Sequence, residues 1–161
     1  MTTHDFDAAA AHRHFSTACF NRVWDLLDKP DRSPDDERLM VSMCHASLFH
    51  WQQRTDCSSR NLSIGYWQLS RVYAVLAQAD NARQFARVCL THSEHAGPFL
   101  LGYAFEALAR AEFTAGNAEA GEQFLAAARE QAALVPDPEE RELLERDLET
   151  MKATVKPNPA N

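Results

Sequence analysis

Much of what would announce a catalytic, membrane or nucleic-acid role is missing from this sequence. There is no Walker loop, no dinucleotide glycine fingerprint, no G-x-S-x-G elbow and no H-E-x-x-H helix, so the motifs of the commonest cofactor and hydrolase chemistries are absent. The four cysteines (Cys19, Cys44, Cys57, Cys89) stand at long, unequal intervals without a C-x-x-C pair, which argues against a zinc ribbon or a redox motif. No signal-peptide pattern opens the sequence, and reduced thiols in a cytoplasm are the expectation. No apolar stretch approaches the roughly 18 to 20 uninterrupted residues of a membrane span. Glycine (5) and proline (7) are scarce, and most of them read as punctuation between helical periods.

Charge of one sign is also in short supply where it would matter. The net charge is −7, with acidic residues concentrated in the first 37 and last 51 positions and a mildly basic stretch from Arg38 to Arg110 between them. Gripping a polyphosphate backbone needs a clustered Lys/Arg stripe, and none is present. Nucleic acid is therefore not the expected partner. A local field can oppose the net charge, which leaves a small anion or an acidic peptide open.

The apolar residues recur at helical spacing, predicting an all-α fold of seven helices in a single domain over residues 1–155, with a disordered tail at 156–161. The first helix is expected over Phe6 to Asp28, with Phe15, Cys19, Val23 and Leu26 on its apolar stripe. The second spans Pro34 to Arg54; Ser33, Pro34 and the acidic Asp35, Asp36 and Glu37 form an N-terminal signature, complementing exposed N–H groups and the helix dipole. Leu39, Met43 and Ala46 are placed on its inner face, with His50 on the same stripe. Further helices are expected over Leu62 to Ala79, Asn81 to His95, Phe99 to Ala115, Ala118 to Leu134 and Pro138 to Thr154. The last should act as a cap, with Leu144, Leu148 and Met151 inward.

An internal repeat organises the middle of the chain. Tyr66, Leu69, Ser70 and Tyr73, followed by Ala82, Ala86 and Cys89, recur 39 residues later as Phe105, Leu108, Ala109 and Glu112, followed by Gly121, Leu125 and Ala128. Small residues at Ser70, Ala109, Ala82 and Gly121 would let paired helices approach to about 8 to 10 Å. The pattern resembles the tetratricopeptide (TPR) repeat, degenerate in its 39-residue period, in Glu112 where a tyrosine is expected and in the late Pro136. The resemblance implies a right-handed superhelix of about three antiparallel hairpins plus a C-terminal capping helix. It also implies a concave groove lined by the first helix of each hairpin.

Counting from the matched positions places Trp67 and Arg71, then Tyr103, Glu106 and Arg110, on that groove. Ala74, Phe113, Asn21 and Asp25 are further candidates. Arg71 and Arg110 hold equivalent places, and an arginine fork takes a carboxylate in bidentate fashion. The plainer alternative pairs Arg110 with Glu106 one turn earlier and leaves Arg71 solvated.

His45 and His50 are the candidate polar pocket. Five residues apart they point roughly 140° apart on a helix, so they do not suit one shared metal, and a packed, hydrogen-bonded histidine competes with a general base. Cys89, His92 and His95 span about 9 Å along a helix, too far for one ion to gather all three. No catalytic residue and no metal site are assigned. The expectation is an interaction module, needing no cofactor, that binds a protein or peptide carrying an acidic or carboxylate group. A small-ligand-binding protein or enzyme with a histidine-containing pocket is the alternative, the balance leaning away from an enzyme, and a homodimer is compatible with either.

Overall fold

The computed structural model describes residues 6–152. Seven α-helices account for most of them, and no strand occurs among the described residues: α1 (Ala8–Leu27), α2 (Pro34–Gln52), α3 (Ser59–Val75), α4 (Ala79–Ser93), α5 (Pro98–Thr114), α6 (Ala118–Leu134) and α7 (Pro138–Lys152). The expected tail at 156–161 and the expected end of α7 at Thr154 lie outside the described residues.

Local chemistry fixes several of the ends. At α2, the Ser33 hydroxyl accepts from Asp36 N–H while the Asp36 carboxylate accepts from Ser33 N–H, a reciprocal capping box with Pro34 in the first turn. Lys29 donates to the same carboxylate at 2.6 Å. With the Ser33 hydrogen bonds, it holds the Asp36 carboxyl down at about 2. Asn117 caps α6 through its side chain.

Contacts along the helices show that consecutive pairs run antiparallel. In α3 and α4, the Ser70 hydroxyl donates to Ala82 O near the turn, and Ser63 meets Ser93 at the far end (2.8 Å). In α1 and α2, Ser47 donates to Ser16 O at 2.7 Å. In α5 and α6, Gly121 faces the Phe113 ring so closely that a methyl group there would stand 2.5 Å from it. Ser70, Ala82, Ala109 and Gly121 are all buried, and small side chains thus sit where helices touch. α7 packs on α5 and α6 through Leu144, Leu148 and Met151, each at most 2% exposed.

The register of α2 differs from the expectation. Its buried stripe is Met40, Cys44, Ser47 and Leu48, one residue on from Leu39, Met43 and Ala46, and Leu39 is exposed. Two similarly apolar stripes lie side by side in this segment. The polar contacts separate them: Cys44 donates to the Gln68 side chain (3.5 Å) and Ser47 to the α1 backbone. On α1, likewise, Ser16 is buried and Phe15 is exposed.

The 39-residue repeat extends to the turn backbone. Ala77 N–H donates to Ala74 O and Gln78 N–H to Tyr73 O; 39 positions on, Gly116 N–H donates to Phe113 O and Asn117 N–H to Glu112 O. Both turns need a left-handed residue, supplied by Ala77 (φ 57°) in one and Gly116 (φ 77°) in the other. A Cβ in that region is strained, which glycine avoids. Ala77→Gly is therefore expected to raise stability by about 0.5 to 1 kcal/mol, a rise of roughly 2 to 3 °C in Tm, and Gly116→Ala to lower it by a similar amount. Thermal unfolding followed by circular dichroism checks both signs, and a loss in both variants would show that the two turns are not equivalent.

Candidate functional site

The odd-numbered helices line one cleft. Its walls come from Phe20 and Trp24 of α1, Ile64 and Trp67 of α3, Phe99 and Tyr103 of α5, and Leu143 of α7, enclosing about 380 Å³. A smaller cavity of about 180 Å³ continues it past Phe20 and Ile64 towards Asn21 and Asn61. The cause lies in packing: α3 lies against α5 and α5 against α7, but α1 makes no comparable approach to α3. Aromatic side chains span that gap. The Trp24 and Trp67 rings lie 5.6 Å apart, Trp67 meets Tyr103 edge-on at 5.1 Å, and Tyr103 meets Phe99 at 5.1 Å.

Charged groups enter this apolar space at two points. Arg71 stands with its guanidinium 5.7 Å from the Trp24 ring and 5.8 Å from the Trp67 ring, within cation–π range. Asp147 of α7 accepts a hydrogen bond from the Tyr103 hydroxyl at 2.9 Å. Burial first, and then the Asp147 charge and hydrogen bond, push the Tyr103 phenol well above its ordinary range. It stays a neutral donor at any physiological pH.

Beneath the cleft lies a buried ionic cluster. Glu106 is fully buried. Its Oε2 accepts from the Trp67 indole N–H (2.8 Å), and its Oε1 accepts from Arg110 Nε (2.8 Å) and Arg110 Nη2. Arg71 Nη1 is 3.9 Å from the same oxygen, an ion pair without a hydrogen bond. The structure therefore brings Trp67, Arg71 and Tyr103 together on the cleft wall. It places Glu106 under that wall, and it turns Arg110 away to line a separate cleft with Val75, Phe113 and Met151. The pairing of Arg110 with Glu106 matches the plainer reading of the sequence, and the pair of arginines does not form one fork.

The histidines lie elsewhere. His45 is exposed, with Nε2 3.1 Å from the Tyr73 hydroxyl. His50 is half-buried beside α1, its Nδ1 2.8 Å from that of His12. Burial first, and then the His12 charge, lower the His50 pKa. Neither lines the cleft, and His50 is less enclosed than its expected place on the inner stripe implied. All four cysteines are free; burial pushes the Cys89 thiol up to about 11 and that of Cys44 further, which leaves them poor nucleophiles. No group of three or more His, Cys, Asp or Glu side chains able to hold a metal ion occurs among the described residues, and none of their helices is long and apolar enough to cross a membrane.

Sequence reasoning missed Trp24, Phe99 and Asp147 as cleft residues. The signal was available for Phe99 and Tyr103, four residues apart on one face. Trp24 and Asp147 come from helices outside the recognised repeat, so no matched position pointed to them.

The two arginines should separate in their effect on stability. Arg110→Ala strips the fully buried Glu106 of its direct ionic partner and is expected to cost about 2 to 3 kcal/mol. Arg71→Ala removes a group 24% exposed that makes no hydrogen bond to Glu106, and is expected to cost about 1 kcal/mol, the size of its cation–π contacts. Urea unfolding midpoints check the order, and equal losses would show that the Glu106 charge is shared between both.

No protein-family model, curated protein or solved structure matches this chain.

Proposed function

We propose that this protein is an interaction module of TPR-like architecture, three helical hairpins in a right-handed superhelix closed by α7, that binds a segment of a partner polypeptide in the cleft between α1, α3, α5 and α7. The observation that carries the reading is the cleft itself: aromatic side chains from three helices, with Leu143 of a fourth, surround an apolar space with one guanidinium, that of Arg71, at its wall. Aromatic and arginine side chains are those that dominate binding energy at protein interfaces. The 39-residue hydrogen-bond repeat of the turns and the small residues at helix contacts support the TPR-like arrangement.

In this reading an apolar side chain of the partner enters between Trp24, Trp67 and Tyr103, and an acidic group beside it takes Arg71. The Arg71 guanidinium makes no hydrogen bond among the described residues, so its donors remain available to a carboxylate. The enzyme reading built on His45 or His50 has no imidazole at the cleft to carry its proton transfer. A small molecule in place of a peptide is the second reading, favoured by a volume within the ~300 to 1,000 Å³ typical of ligand pockets.

Native mass spectrometry of the protein purified gently from its source cells distinguishes the two, a co-purifying polypeptide supporting the first and a stoichiometric small molecule the second. The polypeptide counts only if Trp67→Ala removes it. With 3-phenylpropionate as a probe of the apolar wall and Arg71, tryptophan fluorescence should report saturable binding, weakened about tenfold by Arg71→Ala. Binding that survives unchanged would remove Arg71 from the site.

A further inference from the structure

We infer that the Asp147 end of the cleft is a cation subsite, taking the ammonium group of a lysine side chain in the bound segment. The inference rests on the cleft's being the binding site, and adds to it the sign and chemistry of a second anchor. Three observations carry it.

The Asp147 carboxylate lines the cleft, and its only side-chain partner among the described residues is the neutral Tyr103 hydroxyl. The other carboxylate nearby, Glu106, is saturated by Arg110 and the Trp67 indole. A half-buried carboxylate against an apolar wall has lost part of its hydration, and an opposite charge within contact distance compensates that loss more strongly there than in open water. Asp147 has kept one oxygen free to make such a contact.

The wall beside it suits an organic cation rather than a metal ion. Trp67, Phe99 and Tyr103 line the cleft and meet nearly edge to face, at interplanar angles of 70° and 83°, so the ring planes around it differ in orientation. Ring faces attract an alkylammonium and its methylene stem alike. The upper part of the same cleft already shows this affinity, since Trp24 and Trp67 hold the protein's own cation, Arg71. A metal ion would find one carboxylate and no further ligand group, whereas an ammonium needs only the carboxylate and the aromatic faces.

The two charges of the cleft do not pair with each other. Arg71 stands over Trp24 and Trp67 and pairs with Glu106, whereas Asp147 is bonded to Tyr103, which meets Trp67 edge-on. A segment in the cleft can therefore offer an acidic group to the first and a basic group to the second.

The test uses the full chain and three probes of matching shape: phenethylamine, its neutral analogue 2-phenylethanol, and 3-phenylpropionate. Binding is read from tryptophan fluorescence and from the NMR signal of the Trp67 indole N–H. Phenethylamine should bind about tenfold more tightly than 2-phenylethanol and weaken as salt is raised. Asp147→Asn keeps an acceptor for the Tyr103 hydroxyl, and should abolish the preference for the amine while leaving 3-phenylpropionate bound as well as before or better. Equal binding of amine and alcohol, or an amine preference that persists in Asp147→Asn, overturns the cation subsite while the cleft still binds. Failure of all three probes to bind overturns the cleft as the site, and the subsite with it. The amine–alcohol comparison needs no variant, so it decides the matter even if Asp147→Asn folds poorly.

Discussion

The buried carboxylate of Glu106 is the constraint on which the geometry of the cleft depends. A carboxylate taken out of water must be matched atom by atom, and here the matching groups are the Trp67 indole N–H from α3 and the Arg110 guanidinium from α5 itself. Trp67 and Glu106 are equivalent positions of the repeat, so the bond between them ties one unit to the next at a single register. Buried ion pairs often add little net stability, because desolvation offsets the attraction. What this cluster does add is orientation: it holds the Trp67 ring with one edge bonded inward and a face towards the cleft, where it meets Trp24 and Tyr103.

Around that point the helices divide according to side-chain size. α5 carries Gly102, Ala104, Ala107, Ala109 and Ala111 as buried residues, and it is approached by α3, α4, α6 and α7. At Gly102 a Cβ would stand 2.5 Å from Leu144 of α7. Close helix approach requires such small residues. Between α1 and α3 stand the rings of Phe20, Trp24 and Trp67, and the Gln68 amide reaches across to Phe20 O at 3.1 Å. The cleft is the space these rings line, and they furnish the proposed binding surface.

The helical skeleton was legible because its signals are local. Pro34 after Ser33, Gly97-Pro98, Gly116-Asn117 and Pro138 mark helix ends through backbone chemistry that no distant contact can override, and α6 begins and ends at the residues the pattern indicates. The small residues of the repeat were legible for a similar reason, since a conserved spacing within one chain is its own control. The face of α2 was not, because Leu39, Met43 and Ala46 are as apolar as Met40, Cys44 and Leu48, and the choice rests on Ser16 and Gln68 far along the chain. Glu106 was placed on the right helix and beside the right neighbours but at the surface. A carboxylate reads as exposed until its partners are known, and one of them, Trp67, is 39 residues away. Asp147 was legible only as part of an acidic capping helix, since nothing local sets it apart from Glu145 or Glu149.

The overall acidity of the chain says little about the sign of what the cleft attracts. The net charge of −7 is spread over many side chains, and those that face solvent are screened by salt within about 8 to 10 Å. Inside the cleft two charges dominate, and both owe their influence to how little else surrounds them. Arg71 is shared between two aromatic faces and the far edge of a carboxylate already engaged by Arg110. Asp147 has, among the described residues, a single side-chain partner, a phenol that burial and the carboxylate together keep protonated. An apolar wall makes each of these a stronger determinant than any of the many charges outside it. In the proposed reading, recognition therefore turns on how charged and apolar groups are ordered along a bound segment more than on the net charge of the partner.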